Sequence, residues 1–180
     1  MPTGQLMPEH RLIKRMRALL KRELSRIQET SKADQRFIEI AIDFFRVYTD
    51  FCHRGKEEHV LFGELEARPP FPEHRAMMGE LIQEHAFALE VVKGLLEAKE
   101  RYGWGSNEAL ADIIRAMNTL SAFYPAHIEK EDKHFPPTDP PTKGISIDYS
   151  MFACIVPALM VLYPRHSLIA VLVNNLCRAP

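Results

Sequence analysis

A chain of 180 residues has room for one domain with a substantial core and too little for two ordinary ones. Lys+Arg 23 against Asp+Glu 24 leaves a formal charge of -1 with no basic block of the kind that tracks a phosphate backbone, which argues against nucleic acid as a partner. Cys52, Cys154 and Cys177 form no close pair, so neither a disulfide framework nor a thiolate zinc site is indicated; residues 1–7 lack a charged-then-apolar leader, and the expected location is cytoplasmic.

Four segments carry helical periodicity. The first opens at Pro8-Glu9, a proline and an acid suited to a helix start, and sets Leu12, Ile13, Met16, Leu20, Leu24 and Ile27 on one face before ending near Thr30. Ser31 to Asp34 reads as a capping box for the second, whose stripe is Phe37, Ile38, Ala41, Phe44, Phe45, Tyr48 and Phe51, with an end near residues 61–63. Pro69, Pro70 and Pro72 break the chain. The third helix runs through Met77, Met78, Leu81, Ile82, His85, Leu89, Val92, Leu95 and Leu96, and Gly103-Trp104-Gly105 ends it. Ser106 reads as the N-cap of a fourth helix with Leu110, Ile113, Ile114, Met117, Leu120 and Phe123 inward, halted by Pro136-Pro137. Short connections make neighbours antiparallel, so the expected fold is all-α, an up-down-up-down four-helix bundle over residues 7–137.

That topology brings the start of helix one, the end of helix two, the start of helix three and the end of helix four to one end of the bundle. His10, His53 with Glu57, His85, and His127 with Glu131 occupy those places. An i,i+4 pair projects from one helix face, so His53–Glu57 and His127–Glu131 can each close on the same ion or ions. In a chain this rich in glutamate the spacing alone is close to chance, and solvated i,i+4 contacts are the competing reading; the shared bundle end favours the metal. Four imidazoles and two carboxylates without thiolate suit Fe or Mn better than copper(I) or structural zinc. Six groups overfill a tetrahedral site, whereas two ions bridged by both carboxylates and an oxo or hydroxo oxygen leave room for an exogenous ligand.

Glu9-His10, the run from Cys52-His53 through Glu57 to Phe62, Glu84-His85, and the run from His127 through Glu131 to Phe135 together resemble the hemerythrin-like, or HHE cation-binding, domains. The resemblance implies a non-haem di-iron centre with His10, His53, His85 and His127 as terminal ligands and Glu57 and Glu131 bridging, and the binding of dioxygen or a similar small ligand. Oxygen-carrying members have a further histidine four residues from the one in helix three; here those positions are Leu81 and Leu89, which argues against reversible oxygen carriage. Three roles follow: a di-iron protein for sensing, storage, delivery or detoxification; an enzyme consuming peroxide or nitric oxide, for which no extra acid or base is identifiable; or a metal-free helical interaction module.

His134, seven residues after His127, reads as a surface residue with ligation as the minority alternative, and Tyr124 as core with a wet hydroxyl. Glu58, His59 and His74 are expected on the exterior. Beyond residue 137 the composition changes: Asp148, Arg165 and Arg178 are the only charges in residues 144–180. Pro157, Pro164, Arg165 and His166 interrupt what would otherwise suggest a membrane span. The favoured reading of 138–180 is an apolar C-terminal extension that covers the bundle, binds a protein partner or mediates self-association; a tail unrelated to the domain is the alternative.

Overall fold

Residues 6–67 and 72–135 are described in the computed structural model, and they form four helices. The first, α1, is Met7–Thr30; its six stripe residues are all buried. It ends at Ser31, whose left-handed backbone (φ 53°) lets its N–H donate to Ile27 O at 2.8 Å. Ser31 therefore terminates α1 and does not open the second helix. Asp34 does that, its carboxylate accepting from the N–H groups of Arg36 and Phe37, while Glu23 of α1 accepts from the Asp34 N–H at 2.8 Å.

The second helix, α2, spans residues 35–66 and continues past the expected end at 61–63. It is α-helical over Gln35–Asp43, π-helical over Phe44–Arg54 and Glu57–Phe62, and α-helical again over Gly63–Glu66. A π turn takes one more residue than an α turn, so the inward face drifts along the chain. Phe51, expected in the core from 3.6-residue periodicity, is 47% exposed, and Thr49, Cys52 and His53 are buried instead.

The third, α3, is Pro72–Gly103, with proline at its first position; Gly105 then takes φ 94°, which favours glycine. Ile82, expected inward, is 45% exposed, while Leu81, Val92 and Leu95 are buried. The fourth, α4, is Ala109–His134. Ser106 is not its side-chain cap; its carbonyl accepts from the Ala109 N–H in a tight turn that precedes the helix.

Ion pairs and hydrogen bonds run in opposite order along each neighbouring pair, which establishes the up-down-up-down arrangement. Glu9 meets His53 and Glu23 meets Asp34; Glu39 meets Lys99 and Glu58 meets His85; Glu84 meets His127 and Arg101 meets Asp112; His10 meets Asp132 and Arg17 meets Ser121. The long apolar core fills most of the bundle's length, from Ile27 and Ile38 to Tyr48 and Tyr124. A second, smaller cluster of Leu6, Leu61, Phe62, Leu65, Met78, Leu81 and Phe135 closes the other end. The membrane question posed by residues 138–180 lies outside the described residues; among those described, no helix is long and apolar enough to cross a membrane.

Pro125 stands inside α4, where it has no N–H to give the Ser121 carbonyl. Arg17 of α1 supplies the missing donor, its Nε lying 2.7 Å from Ser121 O. Arg17→Met is expected to destabilise the protein by about 1–3 kcal/mol in urea unfolding, because it orphans a buried acceptor. The cost should shrink in a Pro125→Ala background, where a backbone N–H returns; equal costs in both backgrounds would show that Arg17 acts in some other way.

Candidate metal centre

Between the two apolar clusters lies a layer of polar groups. His10 in the first turns of α1, His53 and Glu57 in the π-helical part of α2, His85 in α3, and His127 and Glu131 near the end of α4 all face inward and are buried to 7% exposure or less. They form two sets of four, His10, His53, Glu57 and Glu131 on one side and Glu57, His85, His127 and Glu131 on the other. Within each set one ligand atom per residue lies within 4.8 Å of the others. Glu57 and Glu131 belong to both.

The Nε2 atoms point at these carboxylates. His10 Nε2 is 3.1 Å from Glu131, His127 Nε2 2.7 Å from Glu131, His85 Nε2 3.3 Å from Glu57, and His53 Nε2 3.7 Å from Glu57. Proximity does not make them hydrogen-bonded. Nε2 of His10, His53 and His85, Oε2 of Glu57 and both oxygens of Glu131 are buried with no aligned partner among the described residues. Unpaired buried polar atoms are costly, and six of them converging on one volume is the pattern expected of donors awaiting a cation. Paired imidazoles flank that volume: the rings of His10 and His53 are 4.9 Å apart and those of His85 and His127 4.8 Å apart, each pair edge to face.

Each imidazole is held from behind by a carboxylate at its Nδ1. Glu9 of α1 holds His53 of α2 at 2.9 Å, Glu58 of α2 holds His85 of α3 at 2.8 Å, Glu84 of α3 holds His127 of α4 at 2.8 Å, and Asp132 of α4 holds His10 of α1 at 2.8 Å. A carboxylate on Nδ1 fixes the tautomer that leaves Nε2 free and raises its basicity, as expected around a metal ligand. Glu9 is in turn bonded by the buried Lys56, and Glu84 by Lys130. Glu58, expected on the exterior, is therefore part of the site. His59 is exposed; His74 is partly buried against the Phe135 ring; His134 is partly buried and lies outside both ligand sets.

Without a metal the carboxylates of the cluster favour protonated imidazoles. Burial would lower the His10 and His85 pKa values, but Glu131 outweighs it, aided by Glu57, and raises them to about 9 and about 10 respectively; His127 is raised by Glu131 in the same way. Burial pushes the Glu131 carboxyl up, and the surrounding His127, His10 and His85 overcome this, holding it well below the usual range. In Glu9 burial is likewise outweighed, by His53 and Lys56.

A cavity lies against the cluster between α2, α3 and α4, with ≈ 20 Å³ of space for the centre of a water-sized molecule. That is room for about one water or one small ligand. His53, His85 and His127 form one wall; Phe45, Leu89, Val92, Phe123 and Tyr124 contribute to the rest. Tyr124 is buried as expected of a core residue, stacked on Phe45 at 5.2 Å, and burial, then the charges of Asp50 and Glu131, push its phenol pKa far above the usual value. Asp50 and Arg54, paired at 3.0 Å, flank the cavity where α2 is partly exposed.

Residues 1–138 match the family described as the Hemerythrin HHE cation binding domain. No curated protein and no solved structure matches the chain.

Proposed function

The chain belongs to the hemerythrin HHE cation-binding domain family, and from that membership together with the geometry of the buried cluster we propose that it is a non-haem di-iron protein. His10 and His53 bind one ion, His85 and His127 the other, and Glu57 and Glu131 bridge the pair. The observation that carries this reading is the sharing of both carboxylates between two otherwise separate histidine pairs. A single tetrahedral ion would use four of these groups and leave buried polar atoms unpaired. Two ferrous ions held by these six residues would supply Lewis-acid and redox chemistry toward dioxygen or a related small ligand. The protein's own contribution is to aim four Nε2 atoms through their Nδ1 carboxylates and to exclude bulk water with Phe62, Leu81 and Phe135 on one side and the long core on the other.

The role follows as binding of dioxygen or a similar ligand for sensing, storage, delivery or detoxification, in the cytoplasm. Anaerobic reconstitution should give about two irons per chain, with new absorption bands on admission of air. One ion per chain, or none, would overturn the bridged assignment. Turnover of peroxide or nitric oxide at the same centre is the second reading, favoured by the cavity beside His53, His85 and His127; steady-state consumption of either substrate by the loaded protein selects it. A metal-free interaction module accords poorly with six orphaned buried donor and acceptor atoms.

We assign the metal-binding unit to residues 7–137 and leave 138–180 as an appendage for a protein partner or self-association. A chain ending at Pro137 is expected to keep its iron while aggregating more readily if the appendage covers apolar surface. A truncated protein folded by circular dichroism that takes up no iron would show that the tail completes the site.

A further inference from the structure

The ligand-bearing stretches fall into two copies of one pattern. Glu9-His10 on α1 matches Glu84-His85 on α3, and His53, Lys56, Glu57 and Glu58 on α2 match His127, Lys130, Glu131 and Asp132 on α4 at identical spacing. The contacts repeat as well. In each half the leading glutamate accepts from the second histidine's Nδ1 on one oxygen and from the lysine on the other, so Lys56 donates to Glu9 Oε1 and Lys130 to Glu84 Oε1. The halves differ in how far water reaches this ion pair. The side chains of Lys56 and Glu9 are 6% and 8% exposed. Those of Lys130 and Glu84 are 32% and 23% exposed, and Lys130 also bonds Glu80. A charge acting through protein is screened far less than one at a wet surface. An ammonium on a carboxylate draws charge from it, which leaves the imidazole on the other oxygen less basic toward a metal. His53 is therefore a weaker donor than His127, and the buried ammonium also repels a cation placed at its Nε2.

We propose that Lys56 is a positioning residue that makes the two metal positions unequal: acting through Glu9, it leaves the position on His10 and His53 with a lower affinity for a divalent cation than the position on His85 and His127, so the centre fills in a fixed order. The inference rests on the di-iron reading and adds to it which position fills second and the residue that decides this.

The test titrates the metal-free full chain with ferrous iron, anaerobically and against a competing chelator. Wild type is expected to bind in two steps about tenfold or more apart in affinity. His85→Ala should lose the tighter step and His53→Ala the weaker one. Lys56→Met should tighten the weaker step about tenfold, Lys56→Arg should keep the wild-type gap because it keeps the charge, and Lys130→Met should move its own step less. The direction separates this role from a structural one, since damage to the fold loosens a metal whereas removal of a buried cation tightens it. A weaker step that is unchanged or loosened in Lys56→Met, with the helical circular dichroism of wild type, would overturn the proposal. If Lys56→Met does not fold, the histidine variants decide: loss of the tighter step in His53→Ala overturns the proposal. Two indistinguishable steps in wild type overturn it too and leave the di-iron reading standing, whereas a wild-type chain that binds one ion or none overturns both.

Discussion

Glu131→Ala is expected to empty both metal positions at once, leaving no more than about a tenth of the wild-type iron after desalting, since losing even an outer partner of a ligand costs roughly 10–100-fold in affinity. Glu131 belongs to both four-residue sets and lies within 4 Å of three imidazoles, those of His10, His85 and His127. On the bridged reading proposed above, its removal would withdraw a ligand from each ion and the charge that offsets them both. Glu57→Ala should approach the same result, because Glu57 is likewise common to both sets. His134→Ala, outside both sets, should retain its iron. Metal counting on the three variants, with circular dichroism to verify folding, decides the matter; one ion retained by Glu131→Ala, or equal losses in all three, would remove the bridging assignment.

Stripping both proposed metals from wild type should lower the melting temperature by roughly 15–30 °C at neutral pH. A ligand present at 1,000 times its dissociation constant stabilises the native state by about 4 kcal/mol per site, and one kcal/mol corresponds to a few degrees in a domain of this size. The metal-free protein should show a distinctive pH response. Its His10 and His85 hold protons up to about 9 and about 10, against about 6.5 for an unfolded histidine. Their contribution to stability is therefore complete below about pH 6.5 and is lost as pH rises through 9 to 10, by a few kcal/mol. The loaded protein should lack this alkaline loss, because its imidazoles are already deprotonated on the metal. Thermal melts of both forms between pH 6 and 10 measure it; parallel curves would mean that the stripped cluster does not hold these protons.

Helix positions and the inward histidines were readable because 3.6-residue periodicity and short connections constrain them directly. The stripe from Leu12 to Ile27 is buried throughout, and the antiparallel order alone places His10 near Glu131. What the chain does not advertise is interaction across helices. Glu9, Glu58, Glu84 and Asp132 each sit next in sequence to a ligand on their own helix, yet each serves the histidine of a different helix, and among so many surface glutamates nothing local marks them. Phe51 and Thr49 exchange roles because a π-helical stretch has no compositional signature comparable to a proline or glycine. The accommodation of Pro125 by Arg17, more than 100 residues away in the chain, becomes apparent only once α1 lies along α4.

The four carboxylate–imidazole bonds follow a single direction of travel, α1 to α2, α2 to α3, α3 to α4 and α4 back to α1, so the circuit has no first member. Every helix is both clamp and clamped. Turning any one of them about its own axis breaks two bonds, the one it gives and the one it receives, so the four azimuths interlock like gears. Damage is then displaced: a lesion at Asp132 loosens an imidazole on α1, and a lesion at Glu9 one on α2. A segment grafted into this bundle must therefore bring, on adjacent positions, a group for the centre and a carboxylate for its neighbour, or the defect will surface one helix further round.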